Sequence, residues 1–308
     1  MNFVLIAEQT LNGLQLGVML FLLAAGLTLV FGIMNLVNLA HGALYMVGAY
    51  LTTYFYQATG SFVLGVVLGL AGSLLVGVVT ELVALRTLYE RDHLDHVLAT
   101  FGLILIFNEL IVMLWGRAAI YSSIPDYLSG HVDLAGGLHY PVYRLLIIGV
   151  GLLVALLLWL VVARTRLGML IRAGASNRAM VAALGVDIRL LYTIVFGCGA
   201  ALAGLAGLLA GPIYSVQPGM GELILIQVFV VIVIGGIGSI RGAFLGALIV
   251  GMVDTLGRAF LKPTLATVLS PTAADAAGPA LASMLIYLLM AGVLAFRPEG
   301  LFPSRGST

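Results

Sequence analysis

RTRLGMLIRAGASNRAMVAALGVDIR, Arg164 to Arg189, stands between two long apolar runs and carries five of the chain's fourteen basic residues. An arginine at the centre of a membrane helix costs about 2.5 to 3.5 kcal/mol, and basic clusters beside membrane segments mark the cytoplasmic side. The stretch therefore reads as a cytoplasmic connection between two membrane helices. Within it, Ser176 or Asn177 caps a short helix whose apolar positions Met180, Ala183 and Leu184 recur at three-to-four spacing, with Gly185 as its C-terminal stop. Such a helix lies along the membrane surface. Its exposed face is rich in alanine, and small side chains at Ala179 and Ala182 let another protein's surface approach the backbone. This points to a docking element; the plainer reading is a connector whose arginines hold anionic lipid headgroups.

Outward from this stretch the chain is apolar. Hydrophobic residues make up 62% of the 308 and charged residues 9%, against about 25% charged in soluble domains, so this is an integral membrane protein. The net charge of +1 gives no electrostatic case for nucleic acid. Cys198 is the only cysteine, which excludes a disulfide or thiolate metal site within one chain. No Lys or Arg precedes Arg86, so the positive region of a cleavable signal peptide is missing and the first membrane helix is expected to direct targeting.

Crossing a bilayer takes about 20 apolar residues. Nine candidate segments run over 9–31, 43–56, 62–85, 97–115, 142–163, 190–211, 223–237, 243–260 and 280–296, with one or two discontinuous or partly inserted. The expected fold is all-α: a polytopic helical membrane protein of eight or nine crossings forming one transmembrane domain over 1–308. Arg86 and Arg91, the 164–189 loop, and Arg297 with Arg305 all fall on the cytoplasmic side. Nine crossings put the N-terminus outside and eight put it inside. The 117–144 stretch, broken by Pro125, Gly130, Gly136, Gly137 and Pro141, and the 262–279 stretch, with Pro263, Pro271 and Pro279, read as external loops. Glycines spaced four apart, as in 197–207 and at Gly242 and Gly246, read as close-packing helix faces.

Two places look like broken helices. In 31–43, Gly32 and Gly42 bracket Asn35, Asn38 and His41, which share one face if that stretch is helical. Polar groups at membrane depth are tolerated where they are buried in protein or line a water-filled path, so these three are candidates for a substrate pathway. The alternative is hydrogen bonding to neighbouring helices, about 0.6 kcal/mol each. The second break, Gly235, Gly236, Gly238, Ser239 and Gly242, has a similar outline and hints at an internal repeat. Glu109 joins the pathway candidates as an acid within a membrane segment; Glu81, close to Arg86, reads as an interface residue.

The sequence lacks catalytic and nucleotide-binding motifs. The 236–242 glycines are spaced GxGxxxG between membrane segments, where a dinucleotide fingerprint needs a βαβ unit. The only lysine, Lys262, precedes Pro263, so there is no Walker A loop. Ser239 has no GxSxG around it.

Three ordered motifs together resemble a known family. Residues 26–42, GLTLVFGIMNLVNLAHG, are similar to the first helix and Ala-His-Gly turn of permease subunits of high-affinity branched-chain amino acid ABC importers, of the LivH type. Arg172 with Ala173, Asn177, Ala182 and Gly185 resemble that family's cytoplasmic coupling segment, and Gly235 to Ser239 with Gly242 and Ala243 its late glycine motif. Arg241 stands where the family has proline or a small residue. The resemblance implies a transport subunit of the bacterial plasma membrane, not an enzyme. It pairs with a second homologous permease, rests on two cytoplasmic ATPase subunits and receives substrate from an external binding protein. ATP and Mg²⁺ are then used by the partners, with no cofactor on this chain. Relatives of similar sequence serve urea, short amides and aromatic acids. A self-sufficient channel for a small polar solute is the alternative.

Overall fold

The computed structural model describes residues 3–89, 91–134 and 137–302; Gly136 and Arg305 lie outside the described residues. The helices are α1 (Phe3–Met34), α2 (His41–Thr59), α3 (Phe62–Thr80), α4 (His93–Trp115), α5 (Val142–Arg164), α6 (Arg166–Ser176), α7 (Arg178–Ala183), α8 (Ile188–Ala210), α9 (Met220–Gly235), α10 (Ile240–Leu265) and α11 (Pro271–Phe296). A π turn over Glu81–Leu85 and a 3₁₀ turn over Arg86–Leu88 prolong α3. Seven of these helices among the described residues are long and apolar enough to cross a membrane: α1, α3 with its continuation, α4, α5, α8, α10 and α11. The apolar α9 is shorter, at 16 residues, and α2 has 19. All nine apolar segments of the sequence are thus helical, and the protein is a multi-pass membrane protein.

Helix ends follow local chemistry. Ser61, Ser239 and Ser270 accept backbone N–H bonds at the starts of α3, α10 and α11, while Thr165, Asn177 and Asp187 do so for α6, α7 and α8. Gly60, with φ of 67°, stops α2. Two expectations about the external side are corrected. The stretch expected as a loop over 262–279 is mostly helix, leaving only 266–270 between α10 and α11. Pro263 falls in the last turn of α10, Pro271 opens α11, and Pro279 sits inside α11. Lys262 pairs with Asp275 at 2.8 Å across that turn. The 117–144 stretch carries a short antiparallel hairpin, β1 (His131–Leu134) with β2 (Leu138–Pro141), because Gly137 takes a positive φ at its turn.

Sidedness is consistent throughout. Asn12 in α1 accepts from Tyr140 Oη at 3.1 Å and from Arg144, so α1 begins on the side of the hairpin. Arg86 Nη2 donates to Thr193 at 2.9 Å, which puts the α3–α4 connection beside the start of α8 and the basic segment before it. The residues after α11 fold under the α9–α10 turn, with Leu301 N donating to Ile234 O at 2.8 Å and Phe302 N to Gly235 O at 3.0 Å. Nine apolar helices among the described residues alternate in direction, so α1 begins on the side opposite the basic connections, which by their charge mark the inside.

The interior is organised around α1, where Leu20, Leu22, Leu23, Ala24 and Ala25 have no exposed surface. A helix apolar all round is buried or membrane-spanning, and here it is both. Its neighbours approach at glycines: a Cβ on Gly17 would meet Ala247 O at 2.9 Å, and one on Gly26 would meet Gly199 O at 2.7 Å. Without a hydrophobic drive between helices in lipid, such close backbone packing supplies much of the association. The glycine runs expected as packing faces are so used: Gly204 faces Gly48 and Ser73, and Gly246 faces Val231 and Gly235.

Candidate translocation and coupling sites

The first break does not continue the helix, so Asn35, Asn38 and His41 do not share a helical face. After Met34 the chain turns at Asn35, the one non-glycine residue with positive φ (52°) among those described, and runs irregularly to His41. Asparagine tolerates this left-handed conformation better than most residues. Asn35 is exposed, whereas Asn38 and His41 are fully buried. His41 Nε2 donates to Leu23 O at 3.1 Å, and its ring lies against Gly26. Neither amide atom of Asn38, nor His41 Nδ1, nor Thr28 Oγ1 has a hydrogen-bond partner among the described residues. Buried polar groups are ordinarily paired; Tyr50, Thr52, His96 and Tyr192 carry the other such atoms, and Asn38 and His41 are the two that fall in the break.

Depth follows from the same bond. Leu23 is eleven residues from both Asn12, the level at which the external hairpin bonds to α1, and Met34, the last residue of α1; at 1.5 Å per residue that is about 16 Å each way. α2 therefore starts near mid-membrane. Its second residue, Gly42, packs against Gly221, the second residue of α9, and a Cβ on either would collide with the other's carbonyl oxygen. Two helices thus begin back to back at mid-depth, and neither start has a side-chain cap. Helix starts carry partial positive charge and free N–H groups.

The second break turns on Gly236 and Gly238, with φ of 105° and 79°. Gly235 and Gly242 approach as closely as Gly42 and Gly221 do, which no side chain would permit. Ser239 Oγ accepts from Gly242 N at 3.1 Å, so its role here is to start α10. Gly32 faces Gly238, and a Cβ on Gly32 would stand 3.7 Å from the Gly238 Cα, so the two breaks lie side by side.

Glu109 is exposed on the outer face of α4. Its neighbour Asn108 accepts from Gly219 N at 3.0 Å and donates to Glu222 at 2.5 Å, which fixes the start of α9 to α4. Sequence reasoning misses Glu222. Its signal is a lone acid in the first turn of an apolar helix preceded by glycine.

On the cytoplasmic side, the segment expected as one capped helix is two. Thr165 starts α6, and Asn177 Oδ1 accepts from Met180 N at 2.9 Å to start α7, which Gly185 stops with φ of 86°. The helix is rotated relative to its apolar spacing: Val181 is the buried residue, at 5% exposure, while Met180 and Leu184 are 59% and 77% exposed. Ala179, Ala182 and Ala183 are exposed beside them, so the outward face is apolar and not alanine alone. Arg172 turns back onto Val162 O, at the end of α5.

Glu81 is fully buried, unlike the surface position its nearness to Arg86 suggests. It accepts from Arg86 Nε at 3.3 Å and Nη2 at 3.4 Å, from Thr193 Oγ1 at 2.7 Å, and from Tyr89 Oη. Burial, and then the Glu81 carboxylate, push the Tyr89 phenol above its usual range, so Tyr89 remains the donor.

The chain matches the family described as "Branched-chain amino acid transport system / permease component" over residues 9–294. It is 33% identical to the high-affinity branched-chain amino acid transport system permease protein BraD of Pseudomonas aeruginosa, covering 96% of this chain and 94% of that protein. It is 28% identical to the corresponding permease protein LivH of Salmonella typhimurium, covering 97% and 98%. It is 29% identical to a probable branched-chain amino acid transport permease protein LivH of Methanocaldococcus jannaschii, covering 81% and 80%. No solved structure matches. The match takes in both helix breaks and the α6–α7 segment, and the chain belongs to this family of permease components as a multi-pass transport subunit rather than an enzyme.

Proposed function

We propose that this chain is the translocation subunit of an ABC importer for branched-chain amino acids in the bacterial plasma membrane, acting as one permease domain over its whole length. The observation that carries the reading is the pair of uncapped helix starts, α2 and α9, meeting at Gly42 and Gly221 at mid-depth. Discontinuous helices in transporters present such starts to anionic substrate groups. The carboxylate of an amino acid passing this level meets free N–H groups and two positive helix ends. Asn38 and His41 supply further polar atoms to the path, with Asn35 at its cytoplasmic mouth. In the closed arrangement seen here α1 covers them, so passage requires α1 and α2 to part.

Glu109 and Glu222 fit the same reading. Ionisable side chains in membrane segments avoid lipid and face protein or water, so exposed Glu109 lies along the seam with a second homologous permease. The apolar outward face of α7, with Arg172, Asn177, Ala179, Ala182 and Gly185 in or beside it, receives one of two ATPase subunits, and an external binding protein delivers substrate. ATP and Mg²⁺ are bound by those partners and not by this chain.

Reconstitution tests the proposal. Liposomes holding the permease pair, its ATPases and its binding protein should take up leucine, isoleucine or valine only with ATP, and the permease alone should conduct nothing. Uptake without ATPases would establish a channel instead. ATP-driven uptake of urea, a short amide or an aromatic acid with no branched-chain uptake would overturn the substrate assignment.

A further inference from the structure

We infer that Glu81 is a positioning residue that latches the coupling segment to the α3–α4 connection, so that movement at α6–α7 is passed into the membrane helices. The inference rests on the proposed docking of an ATPase at α7.

The local backbone is built around this carboxylate. In an α-helix of 3.6 residues per turn, positions five apart stand about 140° apart around the axis and their side chains do not meet. The π turn closes i to i+5 instead, with Arg86 N donating to Glu81 O, and this swings the guanidinium back over the carboxylate. π turns inside helices occur frequently at functional sites. A regular helix here would take the guanidinium away from the buried Glu81 carboxylate.

The carboxylate joins two segments distant in sequence. Thr193 lies in the second turn of α8, and Asp187, which caps α8, comes two residues after the Gly185 that stops α7. Thr193 donates to Glu81 and accepts from Arg86, so a charged pair grips the helix that the coupling segment feeds. Tyr89, beyond the 3₁₀ turn, donates to the same carboxylate, and its ring meets the edge of Tyr192 at 4.9 Å. His96 Nε2 donates to Leu88 O at 2.7 Å, tying the first turn of α4 to this connection. α4 in turn holds the start of α9 through Asn108. A pull on α8 therefore reaches α3 and α4 through one buried acid.

The test uses the assembled transporter in liposomes and measures substrate taken up per ATP hydrolysed. Glu81→Gln keeps the shape and removes the charge; Thr193→Val removes only the hydroxyl; Tyr89→Phe removes only the donor. The expected result is ATPase subunits still bound and ATP still hydrolysed, with uptake per ATP down about tenfold in Glu81→Gln and Thr193→Val, within the span of site-to-site coupling. Thr193→Ser should restore it. Unchanged uptake per ATP in all three variants overturns the latch, as does failure of all three to reach the membrane, which would make the network a stabiliser only. A wild-type transporter that moves no branched-chain amino acid rejects the proposed function, which is distinguishable from variants that match an active wild type.

Discussion

His41 Nε2 donates to the carbonyl of Leu23 at 3.1 Å, joining the first residue of α2 to the middle of α1. A carbonyl only accepts, so the ring carries its proton on Nε2, and Nδ1 is an acceptor with no partner among the described residues. His41→Phe keeps a planar aromatic ring, one atom larger, and removes both nitrogens. Leu23 O retains its helical partner, so the stability cost should be that of one neutral hydrogen bond, about 0.5 to 1.5 kcal/mol. Uptake should fall far more than expression. Full uptake by His41→Phe would assign the imidazole to packing.

Glycine contacts give a second set of outcomes. Gly42→Ala and Gly221→Ala each drive a Cβ into the facing carbonyl, where only backbone could give way. Each should destabilise the solubilised protein by about 1 to 3 kcal/mol, as overpacking does, and lower its thermal midpoint. Gly102→Ala and Gly292→Ala, with nothing within 4 Å of the new methyl, are the controls. They should be neutral or stabilising by up to about 1 kcal/mol, the helix preference of alanine over glycine. Equal midpoints for all four variants would mean that the α2–α9 crossing is loose.

These sites also mark how far the sequence can be read. The nine apolar helices among the described residues are legible because apolar length alone defines a membrane segment, and the α7 cap is legible because Asn177 and Gly185 act locally. Which helix stands at the centre is not. Lipid and protein interior are equally apolar, so α1 and α5 look alike in hydropathy although one is enclosed and the other largely faces outward. Asn35, Asn38 and His41 keep helical spacing on paper; the positive φ at Asn35 breaks it, and only the fold separates exposed Asn35 from the buried pair. The rotation of α7 is hidden for a related reason. Met180 and Leu184 are apolar enough to be inward positions, but an outward apolar face belongs to a partner that a single chain does not carry. The Glu81 network needs Thr193, 112 residues away, to be recognised.

The tail after α11 should be a structural clamp. Leu301 and Phe302 satisfy the Ile234 and Gly235 carbonyls, and Gly300, with φ of 84°, lies against Gly236. Gly300→Ala would put a Cβ 2.6 Å from the Gly236 Cα in a conformation that L residues avoid. Left-handed backbone alone costs a non-glycine residue about 1 to 2 kcal/mol. The variant should release the tail, measured as faster proteolysis after Phe296, and lower the thermal midpoint. Wild-type proteolysis would show that the tail contributes nothing to the α9–α10 turn.

The outward face of α7 is where the transport reading is most exposed to disproof. Met180 and Leu184 are large apolar side chains at 59% and 77% exposure on the cytoplasmic side, beyond the apolar segments that lipid would cover. The small, exposed Ala179 and Ala182 beside them allow a partner to approach the backbone. Ala179→Trp and Ala182→Trp fill that space, and overpacking of a fitted contact costs about 1 to 3 kcal/mol. Each 1.4 kcal/mol is a factor of about ten in affinity, so ATPase recovered with the permease from mild detergent should drop by about one to two orders of magnitude. Leu184→Glu should act in the same direction by placing a charge in an apolar contact, while Asn177→Ala, which removes the cap, should weaken the helix by about 0.5 to 2 kcal/mol. All four variants should still insert, since Val181 and the membrane helices are untouched. Stoichiometric ATPase on both Trp variants and on Leu184→Glu would make α6–α7 a connector and move the docking surface to the α3–α4 connection.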